Sequence, residues 1–385
     1  MLLQNKKIAI VGGGPGGLTL ARLLQLKGAN VKVFERDVDK EARQQGATLD
    51  LHEASGLKAL RQGKLMEVFY ANYRPNAGKL RILDKDGMIH MDDHQSGNSD
   101  YAESRPEIDR APLRNLLLQS LEPGTVIWNS QFTSMEKRND GWMLQFKNGL
   151  QVYADIVIAA DGANSKIRSY ITDIQPVYSG ITIIEGNIYN AEKNAPRLWE
   201  LTKGGKIFAL GDTKSLILSA KGEGSLSFYT GCNVAENWVN DCKIDFNNQE
   251  EMFKWFKTTF DSWNDSWQEL FAGKEMWFVP RPQYHFPLDQ SWTSQPGITL
   301  IGDAAHRMPP YAGEGVNMAM LDAFELAECL TGNDFPDVKT AISCYEKGML
   351  KRASEVTAQT LYNTELMHSV NGLDNLLEMF ENASH

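Results

Sequence analysis

Lys7-Ile8-Ala9-Ile10-Val11-Gly12-Gly13-Gly14-Pro15-Gly16-Gly17 is a short apolar run that ends in a glycine-rich turn, and the apolar stretch Leu18 to Leu26 follows it. The pattern predicts a strand, a tight turn and a helix. In the G-x-G-x-x-G spacing, Gly12 allows the turn and Gly14 lets the backbone approach a pyrophosphate. Gly17 lets the helix lie close to the strand, and Pro15 and Gly16 sit between. A helix that starts here offers free N–H groups and a partial positive charge to phosphates. Val31-Lys32-Val33-Phe34 reads as a second strand. Glu35 ends it about twenty residues beyond the loop, where an acid accepts from ribose hydroxyls. An acid at that point favours FAD or NAD over NADP.

Two later segments narrow the ligand to FAD. The run Ala154 to Ala160 reads as a strand ending at Asp161-Gly162-Ala163-Asn164-Ser165, with Ser165 and Arg168 completing a D-G-x-x-S-x-x-R pattern. Gly297 to Ile301 reads as another strand, ending at Gly302-Asp303-Ala304-Ala305-His306 and running into Pro309-Pro310. Each glycine lets backbone approach a ligand, and each aspartate accepts from hydroxyls or N–H groups. Pro309 to Asn317 then reads as a stiff turn opening a helix. Pro310, Gly313, Gly315, Val316 and Asn317 fall in this turn, whose free N–H groups would oppose negative charge on a bound cofactor.

These three segments resemble, along nearly the whole chain, the FAD-dependent aromatic hydroxylases, also called class A flavoprotein monooxygenases. The resemblance implies an α/β fold: a Rossmann-like FAD-binding domain, an inserted β-sheet substrate domain and a C-terminal bridging helix. The expected boundaries are 1–75, 101–170 and 290–330 for the FAD domain and 76–100 with 171–289 for the substrate domain. The bridging helix is expected over 340–380. Within that class, Val33-Phe34-Glu35-Arg36-Asp37, Glu41-Ala42-Arg43, Gly46 to His52 and Ile301 to Asn317 are similar to the tetracycline-inactivating monooxygenases. This likeness assigns Arg36, Arg43 and Asp50 to the cofactor site, Arg43 and Asp50 near the flavin ring. It also makes Arg110 the helix-borne arginine that reaches the FAD phosphates and ribitol. The class more often carries Gln where this chain has Glu314, and a carboxylate there is expected to turn away from reduced flavin. On the substrate sheet the likeness places Glu185, Lys206 and Ser227 where the tetracycline enzymes present Gln, Arg and His. Glu185 reads equally as an ordinary strand residue.

The class resemblance implies NADPH or NADH as a transient reductant, O2 as co-substrate, and transfer of one oxygen atom to an aromatic or polyketide substrate. Tetracycline is one candidate and another phenolic or polyketide compound the alternative. A flavin-dependent halogenase would show a W-x-W-x-I-P segment, which this chain lacks. A non-catalytic flavin-binding protein is the remaining reading from another class. The chemistry is borne by the flavin, so no side chain is singled out as catalytic.

Composition agrees with a globular enzyme. The 385-residue chain is long enough to bury roughly three quarters of its unfolded surface. Its net charge of −10 disfavours nucleic acid and anionic membranes as partners. Four cysteines stand apart with no C-x-x-C pair, and the seven histidines show no ligand spacing, so no metal is implied. The N-terminal residues enter the first strand with no secretory pattern, which predicts a cytoplasmic protein, read here as a monomer without stable membrane association.

Overall fold

The computed structural model describes residues 2–42, 47–95 and 105–383. Lys7–Val11 is the middle strand of a five-stranded sheet in the order Ile298–Leu300, Ile156–Ala159, Lys7–Val11, Asn30–Phe34, Val126–Ile127. All its pairings are parallel. This strand and the two on one side of it are buried nearly throughout, as a parallel sheet covered on both faces requires. Helix Pro15–Leu26 follows the first strand, with Pro15 in the first turn, where the missing N–H has no helical partner anyway. Close approach sets the turn. Gly12 has φ +113°, and a Cβ there would strike the Ala160 carbonyl on the neighbouring strand. A Cβ on Gly17 would strike the Gly12 carbonyl, so strand and helix meet at backbone distance.

Strands from two distant stretches of the chain form one seven-stranded sheet. Its order is Met276–His285, Val177–Ile188, Leu226–Asn233, Lys214–Ala220, Lys206–Gly211, Leu80–Asp84, Ile89–Asp92. Alternation along the strands divides its faces. Ile184, Ile188, Leu216, Leu218 and Phe228 point outward and bury against helices Pro196–Thr202, Gln249–Thr259 and Glu269–Ala272. Phe271 stacks there between Phe256 and Phe278, with ring centroids 4.5 and 5.1 Å away. Trp255, Trp263 and Trp267 are buried in the same layer, so much of the tryptophan-rich second half is packing.

The inner face looks onto the nucleotide-binding body. Ile181, Ile183 and Leu210 form an apolar half covered by Tyr311, Met367 and Leu376. The other half is polar and meets the two-stranded ribbon Leu49–Asp50 and Glu107–Ile108. Helix Val338–Met367, capped by the Asp337 carboxylate accepting from the Thr340 N–H at 2.8 Å, links the two bodies. Its Ile342, Tyr345 and Met349 bury on the nucleotide side, and its far end reaches the sheet through Met367. No helix among the described residues is long and apolar enough to cross a membrane.

Truncating Phe271 to Ala removes the middle ring of the stack. It should destabilise the sheet body by about 3–5 kcal/mol, read as a lower urea midpoint by tryptophan fluorescence; an unchanged midpoint would show that the outer layer does not hold the sheet.

Candidate active site

The three glycine-containing segments converge at the C-terminal ends of the parallel strands. Glu35 is buried, and its Oε2 accepts from the Gly13 N–H at 2.6 Å while its Oε1 accepts from the Asp37 N–H at 2.9 Å. The acid is thus fixed against the first loop. Nothing lies within 4 Å of where a Cβ on Gly14 would sit, which leaves backbone facing open space at the helix N-terminus. Asp161 Oδ2 accepts from the Lys166 N–H at 3.0 Å, while its Oδ1 is buried without a partner. Burial pushes the Asp161 carboxyl pKa up, with hydrogen bonds from Ser165 and Lys166 opposing.

Arg168 joins the second segment to the third. Its guanidinium donates to the carbonyls of Ala304 and Ala305 at 3.1 and 3.0 Å and to Gln290 at 2.8 Å, and lies 3.5 Å from the Phe286 ring centroid. Burial brings its pKa down to about 10. Gly302, with φ +60°, turns the chain into the Asp303–His306 helix. Its N–H donates to Asp322 Oδ2 at 2.8 Å, and the same carboxylate pairs with His306 Nε2 at 2.6 Å and Arg352 at 2.7 Å. Because Asp322 takes these contacts, Asp303 stays exposed in the first turn.

Around the loop before helix Gly315–Thr331, the residues expected at the cofactor divide. Pro310 is exposed, the space beside Gly315 is open and Val316 is half-buried. Gly313 has φ +68° and faces the Asp50 carboxylate, whose Oδ1 lies 3.5 Å from a Cβ built on it. Asn317 is buried and its amide is committed: Oδ1 accepts from the N–H groups of His52 at 2.9 Å and Gly56 at 3.3 Å, and Nδ2 donates to the Asp50 carbonyl at 2.9 Å. Its side chain therefore clasps the 50–56 loop. Gly16 packs under Ala319. Arg36 and Arg110 are exposed, Arg110 at the first turn of helix Arg110–Gln119. Arg114 on that helix pairs with Asp37 at 2.9 Å. Arg43 lies outside the described residues.

His52 stands between two acids, with Nε2 at 2.9 Å from Asp50 Oδ2 and Nδ1 at 3.3 Å from Glu314 Oε1. Glu314 is thereby turned onto His52. Burial opposes the imidazolium, but the hydrogen bonds and charges of Asp50 and Glu314 outweigh it and raise its pKa to about 9. Asp50 answers in the other direction: burial disfavours its charge, and His52 with Lys206 overcomes this to hold its pKa below the usual value. Beside it, Lys206 pairs with Glu107, whose carboxyl burial still pushes up. Glu185 is buried and pairs with Arg281 at 2.6 Å. Ser227 is buried with its hydroxyl unpaired. All three expected substrate residues thus lie on the inner face, two of them already in ion pairs.

The cradle fits FAD: open backbone at Gly14 and Gly315, a buried unsatisfied acceptor on Asp161, an exposed Asp303 and helix N-termini directed at one cleft. Residues 5–333 match the family described as FAD binding domain. The chain belongs to that family. Monooxygenase penA of Penicillium thymicola is 29% identical to it over 97% of this chain and 98% of its own length. The present chain is an FAD-dependent monooxygenase. The fold is shared with Klebsiella pneumoniae HpxO, solved with FAD and uric acid, at a TM-score of 0.77 and 20% identity over 99% of this chain and 93% of that one. It is shared also with the tetracycline destructase Tet(55), at a TM-score of 0.74 and 19% identity over 95% and 90%.

Residues that sequence reasoning missed in this flavoprotein are Asp322, His52, Glu107 and Arg281. Asp322 leaves one signal, a lone acid on the buried side of an apolar helix.

Two expectations follow. Asp303→Ala removes an exposed acceptor and should weaken FAD binding by about 1–3 kcal/mol, measured as flavin release on dilution; full occupancy would exclude Asp303 from the cofactor site. The raised pKa of His52 contributes stability that is fully present below about pH 6.5 and is lost as pH rises through about 9. Glu314→Gln removes one anion, so the imidazole titration of His52 followed by NMR should move to lower pH than in the parent protein.

Proposed function

We propose that this flavoprotein uses NADPH or NADH and O2 to insert one oxygen atom into an uncommitted small aromatic or polyketide substrate held between the inner face of the sheet and the 309–317 loop. The observation that carries this reading is the polar half of the inner face, where Glu185, Lys206 and Ser227 stand opposite Asp50 and Glu107 and the buried Ser227 hydroxyl has no partner. Bound FAD would supply the activation of O2. The protein's own part is positional. Backbone at Gly12 to Gly17 and the Pro15–Leu26 helix would hold the pyrophosphate, Glu35 the adenosine ribose, and Asp161 and Asp303 hydroxyl or N–H groups of the cofactor. The N–H groups from Gly315 to Asn317 would oppose negative charge on the ring, with the exposed Arg36 and Arg110 as further cations of the cofactor body.

With its raised pKa, His52 carries protons on both ring nitrogens at neutral pH, one toward Asp50 and one toward Glu314, which keeps this corner from being a bare pair of carboxylates. The sheet excludes water from the far side of the cleft, a requirement for controlled oxygen transfer. The segments 1–75, 101–170 and 290–330 are read as the cofactor domain, 76–100 and 171–289 as the substrate domain, and 340–380 as the bridge. No second dinucleotide fingerprint stands in the sequence, which supports transient use of the reductant. The charge balance supports small-molecule partners, and the scattered free cysteines support a cytoplasmic setting, with a monomer as the working unit.

The direct test is NADPH and NADH consumption by the purified yellow protein with tetracycline and a panel of phenols and polyketides, with mass analysis of products. Stimulated consumption and a gain of one oxygen are expected for at least one compound; no turnover with any would support a flavin-binding protein without oxygenase chemistry. Glu185→Gln, which removes the partner charge of Arg281, should alter the substrate preference while the protein stays yellow. An unchanged preference would make Glu185 a packing residue of the sheet.

A further inference from the structure

Strand register sets a row across the polar half of the inner face: Trp277 opposite Asn187, Asn187 opposite Ser227, Ser227 opposite Ser219, and Ser219 opposite Lys206. Side chains directly opposite on one face lie about 5 Å apart. Asn187 and Ser227 are 1% and 2% exposed. The Asn187 amide is oriented by its oxygen, which accepts from Ser225 Oγ at 3.4 Å and Lys221 Nζ at 3.5 Å. Its Nδ2 is left as a buried donor without a partner, and the Ser227 hydroxyl next to it is unpaired as well. Further along the row, Lys206 is taken up by Glu107, which also has the Thr48 hydroxyl beside it. Buried polar groups left unpaired are unfavourable unless something satisfies them. Two such atoms side by side on the polar half of the inner face point to a ligand.

Charge decides the kind of ligand. Each of the cations Lys206, Lys221 and Arg281 is engaged by a carboxylate: Glu107, Glu223 at 2.8 Å and Glu185 at 2.6 Å. A carboxylate-bearing substrate would enter beside Asp50 and Glu107 with these cations already neutralised, a costly desolvation. A neutral carbonyl oxygen meets no such repulsion and takes both donors. We propose that Asn187 Nδ2 and Ser227 Oγ together bind a carbonyl oxygen of an uncharged, planar substrate. The half-buried Trp277 lies against its ring. The assignment deepens the monooxygenase reading and rests on it. Asn187 is a specificity-determining residue of the same cleft.

The test uses FAD-loaded protein and the matched probes 2-hydroxybenzamide and 2-hydroxybenzoate, with 4-hydroxy-2-quinolone as a larger lactam, read by perturbation of the flavin absorbance. The amide and the lactam should bind more tightly than the carboxylate by about ten-fold or more. Asn187→Asp, which keeps the volume and replaces the donor by an acceptor, and Ser227→Ala should each weaken lactam binding by about ten-fold, while the flavin spectrum reports that the fold persists. Equal or tighter binding of 2-hydroxybenzoate, wild-type affinity in both variants, or no binding of any probe would overturn the assignment. NADPH oxidation on the same samples separates the two claims: carbonyl selectivity without turnover keeps this site and removes the oxygenase reading, and turnover with carboxylate selectivity does the reverse.

Discussion

The structure depends on a buried carboxylate that is saturated by partners from three directions. Asp322 accepts from the Gly302 N–H, pairs with His306 and is held by Arg352 from the long C-terminal helix. The coulombic attraction of His306 and Arg352 overcomes the burial penalty and lowers the Asp322 pKa, while the charge of Asp322 in turn raises that of His306 against its burial. A buried charge is tolerable only when its lone pairs are filled in this way. The consequence reaches the cofactor cleft, because the backbone turn at Gly302 is fixed by Asp322 and Asp303 is left facing outward.

Arg168 does for the second motif what Asp322 does for the third. It belongs to the segment beginning at Asp161, yet its guanidinium holds the carbonyls of Ala304 and Ala305. The motifs of this flavoprotein are therefore mechanically joined before any ligand enters. Electrostatic preorganisation is useful for the same reason: donors already held in place need not reorganise when charge develops.

The inner face of the sheet shows a different logic. Its apolar half is sealed by Tyr311, Met367 and Leu376, while its polar half leaves hydrogen-bonding atoms unsatisfied. The outer face has no such division, because helices cover it with an aromatic layer. One sheet thus separates a packing surface from a recognition surface by the two-residue alternation of its strands.

Much of the backbone around the glycine-rich turns was legible in the sequence, because its determinants are local. Glycines at Gly12 and Gly302 mark backbone that a side chain would obstruct or strain, and the strand-turn-helix pattern around them is set by neighbours in the chain. The family and the α/β architecture follow from those motifs and their order. The partners of the site residues were not legible. Asn317 lies in the expected loop, but only the fold brings the 50–56 backbone within reach of its amide. Likewise, Lys206 meets Glu107, Glu185 meets Arg281, and Asp322 meets His306 and Arg352 across gaps in sequence that no local spacing encodes. The choice between a free charge and a paired one is made by tertiary contact, since Coulomb attraction and desolvation depend on distance and burial in space and not on separation along the chain.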